Sequence, residues 1–163
     1  MKLSLLDPAE AACLLPLFQD LHALHVAHHP ERYPAEPDPE AMAEWMQAWL
    51  AEPQSHALVA RSPQEVVMGY LVYEIEERRA LPVRPAETRA TVQHIAVAEP
   101  FRRMGVGRAL MSEMKRRALD QGVSVIATTY APFNAASAGL MRSHGLEPVL
   151  TMAEWRRTPQ PAA

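Results

Sequence analysis

The residues best placed to do chemistry lie between positions 92 and 119, where a β-rich run, a Gly-x-Gly turn and a helical pattern follow one another. Gly105 and Gly107 flank Val106. Glycines so spaced let the backbone turn sharply and point successive N–H groups at one spot, and the helix that follows adds the positive end of its dipole. The ligand such a turn suits is a pyrophosphate. It is not a Walker loop, because Gly107 is followed by Arg108-Ala109 where Lys-Ser/Thr is needed, and Leu110 stands where a dinucleotide fingerprint needs its third glycine. Upstream of the turn, His94 offers an imidazole whose ordinary pKa near 6.5 suits proton transfer at neutral pH. Glu74 and Glu76 share one face of the preceding strand by alternation and are the reserve acids or bases.

These groups need elements to hold them. Leu3 and Leu5 mark a short first strand, and Pro8 opens a helix carrying Leu14, Leu17, Phe18, Leu21 and Leu24 at helical spacing up to His29-Pro30. Asp38-Pro39-Glu40 starts a second helix with Met42, Trp45, Met46 and Trp49 inward. Residues 56–61 and 66–76 read as an antiparallel pair, 78–89 as a loop, and 91–97 as the next strand. Val92 and Ile95 lie an odd number of positions apart, so they share a face only if one bulge interrupts the strand near His94. Leu110, Met111, Met114 and Ala118 give the following helix its inward face, and Gly122 stops it. A buried strand follows over 123–129, then a helix from Asn134 to Gly145, then a final strand over 150–155.

The chain has 163 residues, 48% of them hydrophobic and 21% charged, with a formal net charge of −3, which suits one globular domain over 1–157 with a flexible tail at 158–163. That balance argues against a nucleic-acid or anionic-membrane partner, and no apolar run is long enough for a membrane span. Cys13 is the single cysteine, so no internal disulfide forms; it reads as a buried apolar residue in a cytoplasmic protein. Residues 31–52 hold six acids against Arg32 alone, and residues 102–117 hold six bases against Glu113 alone. Histidines 22, 25, 28 and 29 have helical spacing, but no His-Glu-x-x-His pattern or nearby cysteine accompanies them, and no metal is expected. Trp45 and Trp49, one turn apart, belong to the core or, alternatively, to the wall of a substrate pocket.

Arg102-Arg103-Met104-Gly105-Val106-Gly107 resembles the Q/R-x-x-G-x-G/A signature of the GNAT superfamily, the acyl-coenzyme A-dependent N-acetyltransferases. Asn134, Ser137, Leu140, Gly145 and Leu146 are similar to that family's second half, N-x-x-A-x-x-L/F-Y-x-x-x-G-F, with Ser for Ala and Leu for Phe. The resemblance is specific over residues 92–146, and the order of elements before it also fits. It implies an α/β (α+β) fold with a mixed, mostly antiparallel central sheet, a splayed strand pair and flanking helices. It also implies acetyl transfer from acetyl-coenzyme A directly to a primary amine on a small cationic molecule or a peptide, with a homodimer as the suggested assembly.

By the same resemblance, the backbone amides of Met104, Gly105, Val106, Gly107, Arg108 and Ala109 hold the coenzyme A pyrophosphate, and Arg102, Arg103 or Arg108 add charge-assisted contacts. Ile95, Ala96 and Val97 pair with the pantetheine arm as if it were an added strand, and amides there polarise the thioester carbonyl. Asn134 contacts the same arm while capping its helix. His94 is the candidate base that takes a proton from the acceptor nitrogen. One position departs from the pattern: Met141 stands where the family commonly has a tyrosine that protonates the departing thiolate. A thiolate of pKa about 8.5 is a tolerable leaving group without that donor. The same departure motivates an alternative, a non-catalytic acyl-coenzyme A binding or sensing module.

Overall fold

The structure, a computed structural model, describes residues 1–157. The expected tail at 158–163 lies outside the described residues. Strand β1 (Lys2–Leu5) is followed by a 3-10 segment, Pro8–Leu14, whose N-cap Asp7 accepts the Ala9 N–H at 2.9 Å. Helix α1 (Leu15–His28) begins only after it. The sequence pattern predicts one continuous helix from Pro8; Pro16 has no N–H to donate into a preceding turn, so the α-helix starts afresh around it. Helix α2 (Pro39–Ala51) is capped by Asp38, which accepts the Glu40 N–H at 2.9 Å. Then come β2 (Ser55–Arg61), β3 (Val67–Arg78), β4 (Glu87–Val97), α3 (Val106–Asp120), β5 (Val125–Thr128) and α4 (Ala135–Ser143).

The five strands form one sheet in the order β1-β2-β3-β4-β5, antiparallel throughout except for the parallel β4–β5 pair. Alternation along the strands divides the core. Leu58, Leu71, Tyr73 and Val92 pack under α3 and α4 with Leu110, Met114 and Met141. Val59, Tyr70 and Val72 pack on the opposite face with Leu14, Phe18 and Met46 from the first half of the chain. The irregularity demanded by Val92 and Ile95 falls at Gln93: Val72 faces His94 and Tyr73 faces Val92, leaving Gln93 without a partner. Val92, Ile95 and Val97 thereby share the α3 face, while Ala96 joins the α1 and α2 face and His94 stacks there on Phe18.

Three expectations are corrected. The β3–β4 ribbon extends well into the stretch read as a loop, with Arg78 opposite Glu87. The ladder itself continues there without apolar alternation, with one ion pair across it, Arg78 to Glu87 at 3.8 Å, and Arg89 of the same strand 2.8 Å from Glu87. The final strand over 150–155 is not formed; the chain leaves α4 without regular structure, and Glu154 pairs with Arg32 beyond α1 at 3.0 Å. Trp45 is not part of the buried face of α2, which consists of Met42, Met46 and Leu50; its side of the helix is open. No helix among the described residues is long and apolar enough to cross a membrane.

Candidate functional site

The parallel β4–β5 ladder is short. It runs from Arg89 opposite Val125 to Val92 opposite Thr128 and stops there, where the Thr128 hydroxyl donates to the Val92 carbonyl at 3.1 Å. Beyond Gln93 the remainder of β4 has β3 on one side and no strand on the other. The Ala98 N–H bonds to Met68 O at 2.9 Å, so by alternation Ala96 also turns its backbone groups toward β3. Ile95 and Val97 therefore turn theirs to the open side. Of the expected trio, Ala96 has its backbone groups in the sheet, and Ile95 and Val97 present theirs at the open edge.

The open edge leads to the glycine turn. Arg103 and Gly105 both have left-handed backbones, with φ of 65° and 83°, and no side chain caps α3. For a non-glycine residue this conformation costs on the order of 1–2 kcal/mol, so Arg103 holds stored strain at the turn. The first helical N–H groups have no intrahelical acceptors and face outward, forming an anion cradle with the helix dipole behind it. The Ala109 N–H is bonded to Gly105 O at 2.9 Å, in the first turn of the helix. The free donors run from Met104 to Arg108. A Cβ on Gly107 would sit 3.4 Å from Leu140 and 3.6 Å from Val97, so that position needs a small residue for the helix to approach β4.

The arginines divide by role. Arg102 donates from Nε to Val97 O at 3.2 Å and so ties the end of β4 to the turn. Arg116 and Arg117 are both held by Glu113 and do not point their charge at the cradle. Arg103 and Arg108 are exposed beside the cradle and available to a phosphate. Asn134 caps α4 through its Oδ1, which accepts the Ser137 N–H at 2.9 Å, leaving its amide N–H groups uncommitted.

On the opposite face of the sheet, four rings close on one another. His94 stacks on Phe18 with centroids 5.0 Å apart and planes 6° from parallel; Phe18 meets Trp45 at 5.6 Å, Trp45 stacks on Trp49 at 5.1 Å, and Trp49 meets His94 edge-on at 5.3 Å. Burial, with the nearby His25 adding to it, pushes the His94 imidazole down to about 4. It is neutral at physiological pH, and its buried Nδ1 has no partner among the described residues. Trp49 also donates from Nε1 to Glu74 Oε1 at 2.6 Å, and Gln93, the bulged residue, donates to Glu74 Oε2 at 2.8 Å. Glu76 is drawn away to Arg78. The sequence signals only the Trp45–Trp49 pair, one turn apart; that Phe18 and His94 close on it is hidden, since they belong to two other elements.

The α1 histidines have structural partners. His25 Nδ1 donates to Leu21 O at 2.7 Å and His28 Nδ1 to Leu24 O at 2.9 Å, while His22 Nε2 meets Pro34 O at 2.7 Å. The His28 ring stacks on Phe133 at 3.8 Å, joining the end of α1 to the loop after β5. Among the described residues no group of three or more His, Cys, Asp or Glu side chains could hold a metal ion. Met141 is 1% exposed, within the core under α4. Burial raises the Cys13 thiol above its usual value, and Arg61 lies 3.7 Å from its sulfur.

The sequence matches the acetyltransferase (GNAT) family over residues 18–146. No curated protein matches it in sequence. In fold it is similar to the BH1408 protein from Bacillus halodurans, in a tetramutant form, at 18% identity and a TM-score of 0.85, covering 96% of this chain and 100% of that one. It is similar to a ribosomal-protein-alanine N-acetyltransferase from Brucella melitensis biovar Abortus at 17% identity and a TM-score of 0.73, covering 96% and 100%. The aminoglycoside N-acetyltransferase AAC(6')-Iy, in complex with CoA, aligns at 16% identity and a TM-score of 0.69, covering 97% and 100%.

Proposed function

The chain belongs to the GNAT acetyltransferase family, and from that membership we propose that it moves the acetyl group of acetyl-coenzyme A directly to a primary amine on a small cationic acceptor or a peptide. The observation that carries this reading is the unpaired end of β4 running into the uncapped amides of α3. A pantetheine arm laid against Ile95 and Val97 continues the sheet, its pyrophosphate meets the amides from Met104 to Arg108, and Arg103 or Arg108 adds charge. The Asn134 amide N–H groups supply a further donor to the arm. The thioester carbonyl is then left near the bulge, where a free backbone amide polarises it as the oxyanion develops.

His94 stands on the acceptor's face of the sheet. An imidazole held near 4 cannot strip a proton from a free alkylammonium, whose pKa is about 10.4. That first proton goes to water, and the free amine so formed attacks; its nitrogen, cationic in the adduct, is then a far stronger acid. We assign His94 the proton of that tetrahedral adduct: the C–N bond forms, the nitrogen gives its proton to the imidazole, the C–S bond breaks and the thiolate leaves. With Met141 buried at the tyrosine's position, the thiolate departs without a side-chain acid there. No acyl-enzyme is needed, since no activated nucleophile stands at the cleft among the described residues.

The test is calorimetric titration with acetyl-coenzyme A, followed by thiol release against a panel of amines. Micromolar binding with release that depends on one amine class supports the transferase. Binding without release from any amine favours the sensing module, and absence of binding overturns the assignment of the cradle.

A further inference from the structure

Glu74 has an arrangement that the reaction just described does not use. Its two carboxylate oxygens take hydrogen bonds from Trp49 at 2.6 Å, Gln93 at 2.8 Å and, more loosely, Ser55 at 3.5 Å, and all three donors are neutral. Among the described residues no lysine or arginine pairs with it, although Arg78 and Arg89 nearby are shared between Glu76 and Glu87. A half-buried carboxylate fixed at both oxygens by neutral donors is oriented but keeps its whole charge uncompensated. A glutamine would still offer Trp49 an acceptor, though a weaker one, so bracing alone does not require the full charge.

The space beside it supplies one. A cavity of about 460 Å³ is lined by Gln54, Glu74, Glu76, Arg78, Thr91 and Gln93, on the stretch of ribbon where β2 has ended at Ser55 and α2 at Ala51. It opens on the same face of the sheet as His94. In register, Glu74 faces Thr91 and His94 faces Val72, which makes Glu74 and His94 near-diagonal neighbours across the strand pair. Such diagonal positions lie about 7–8 Å apart, and Trp49 touches both side chains.

Resting on the amine-acetylation reading, we propose that Glu74 is the anchor for a second ammonium of the acceptor. The acceptor is then a molecule with two cationic nitrogens separated by roughly the length of a five-carbon chain, one held at Glu74 and the other presented at the bulge. The indole of Trp49 lies beside the chain between them, and the Trp45–Trp49 stack adds an aromatic face that favours a cation. Arg78 is neutralised by Glu76 and Glu87 and does not repel the bound ammonium.

The probes are diaminopentane and pentylamine, which share a chain and differ by one ammonium. Each is titrated calorimetrically into the coenzyme A complex of the wild-type protein and of Glu74→Gln, and each is assayed for thiol release with acetyl-coenzyme A. The wild type is expected to favour the diamine at least tenfold, in binding and in kcat/KM. In Glu74→Gln, which keeps an acceptor for the Trp49 indole, that ratio should collapse toward one, with the loss in KM. Coenzyme A affinity on the same preparations verifies that the fold is retained. No preference in the wild type, or an equal preference in the variant, overturns the anchor. A preference in binding that Glu74→Gln removes, without thiol release from either amine or from any other amine of the panel, keeps the anchor and overturns the transferase reading.

Discussion

Replacing Gly69 by alanine should push apart the two strands that meet at the open edge. A Cβ built on Gly69 would lie 2.8 Å from Ala96 O, 3.2 Å from Val106 Cγ1 and 3.3 Å from Val97 Cα. Two of these three atoms are backbone, so no side chain can swing aside; either β3 retreats or the end of β4 does. Overpacking of one methyl in a tight site costs about 1–3 kcal/mol, and the loss of glycine's freedom in the unfolded chain returns about 0.4–1 kcal/mol. The net is about 1–2 kcal/mol of destabilisation, a fall in Tm of roughly 2–8 °C for a domain of this size. Because Val97 belongs to the proposed pantetheine edge, coenzyme A binding should weaken several-fold in the same variant. Gly139→Ala is the matched control: nothing lies within 4 Å of its added Cβ, and it sits in α4 at ordinary φ. There the same change should stabilise by about 0.5–1 kcal/mol. Urea unfolding and calorimetry on both variants decide the matter. If Gly69→Ala is as stable as the wild type, or if both variants shift alike, the close approach of β3 to β4 is not what requires glycine at 69.

Acid stability should report on His94. Its folded pKa near 4 lies below the unfolded value of about 6.5, so the unfolded chain takes up the proton first; the stability present above 6.5 is lost as pH falls toward 4, about 3 kcal/mol in all. His94→Phe, which keeps a ring against Phe18, should flatten the pH dependence of the urea midpoint in that window. The lowered His56 and His144 contribute equally to both proteins, and an unchanged slope would remove His94 as the main source. Gly105→Glu has open space but a φ of 83°, so it should cost only about 1–2 kcal/mol of stability while abolishing coenzyme A binding through the carboxylate placed at the cradle. Retained binding would mean that the pyrophosphate lies elsewhere.

What could be read from the chain divides along physical lines. The bulge was legible because the parity of Val92 and Ile95 is a property of one strand and needs no knowledge of its neighbours. The glycine turn was legible for the same reason, although the left-handed Arg103 beside it was not, since nothing in an arginine announces that backbone. The ribbon beyond Glu76 was hidden because its strands carry charged residues such as Arg78, Glu87 and Arg89 in place of apolar alternation. Over 150–155 the apolar Leu150, Met152 and Trp155 suggest a strand, but burial depends on what lies opposite, and all three are exposed. The Glu74 brace joins residues 19 to 25 positions apart, and the aromatic ring joins three elements; both come into being only when the sheet and α2 are assembled.

The early end of the β4–β5 ladder has a consequence for how the molecule holds together. Four residue pairs and the Thr128 hydroxyl join β5 to the other strands, and past that point no strand pairing holds the second half of the chain, only side-chain contacts such as His28 on Phe133 and Arg32 with Glu154. In the proposed complex the pantetheine arm fills the gap as a removable strand, so the donor is also a fastening. Amides in β5 and α4 would exchange with solvent more slowly as coenzyme A rises, by the free energy of its binding. The lifetime of the protein in a cell would then follow the supply of its own co-substrate.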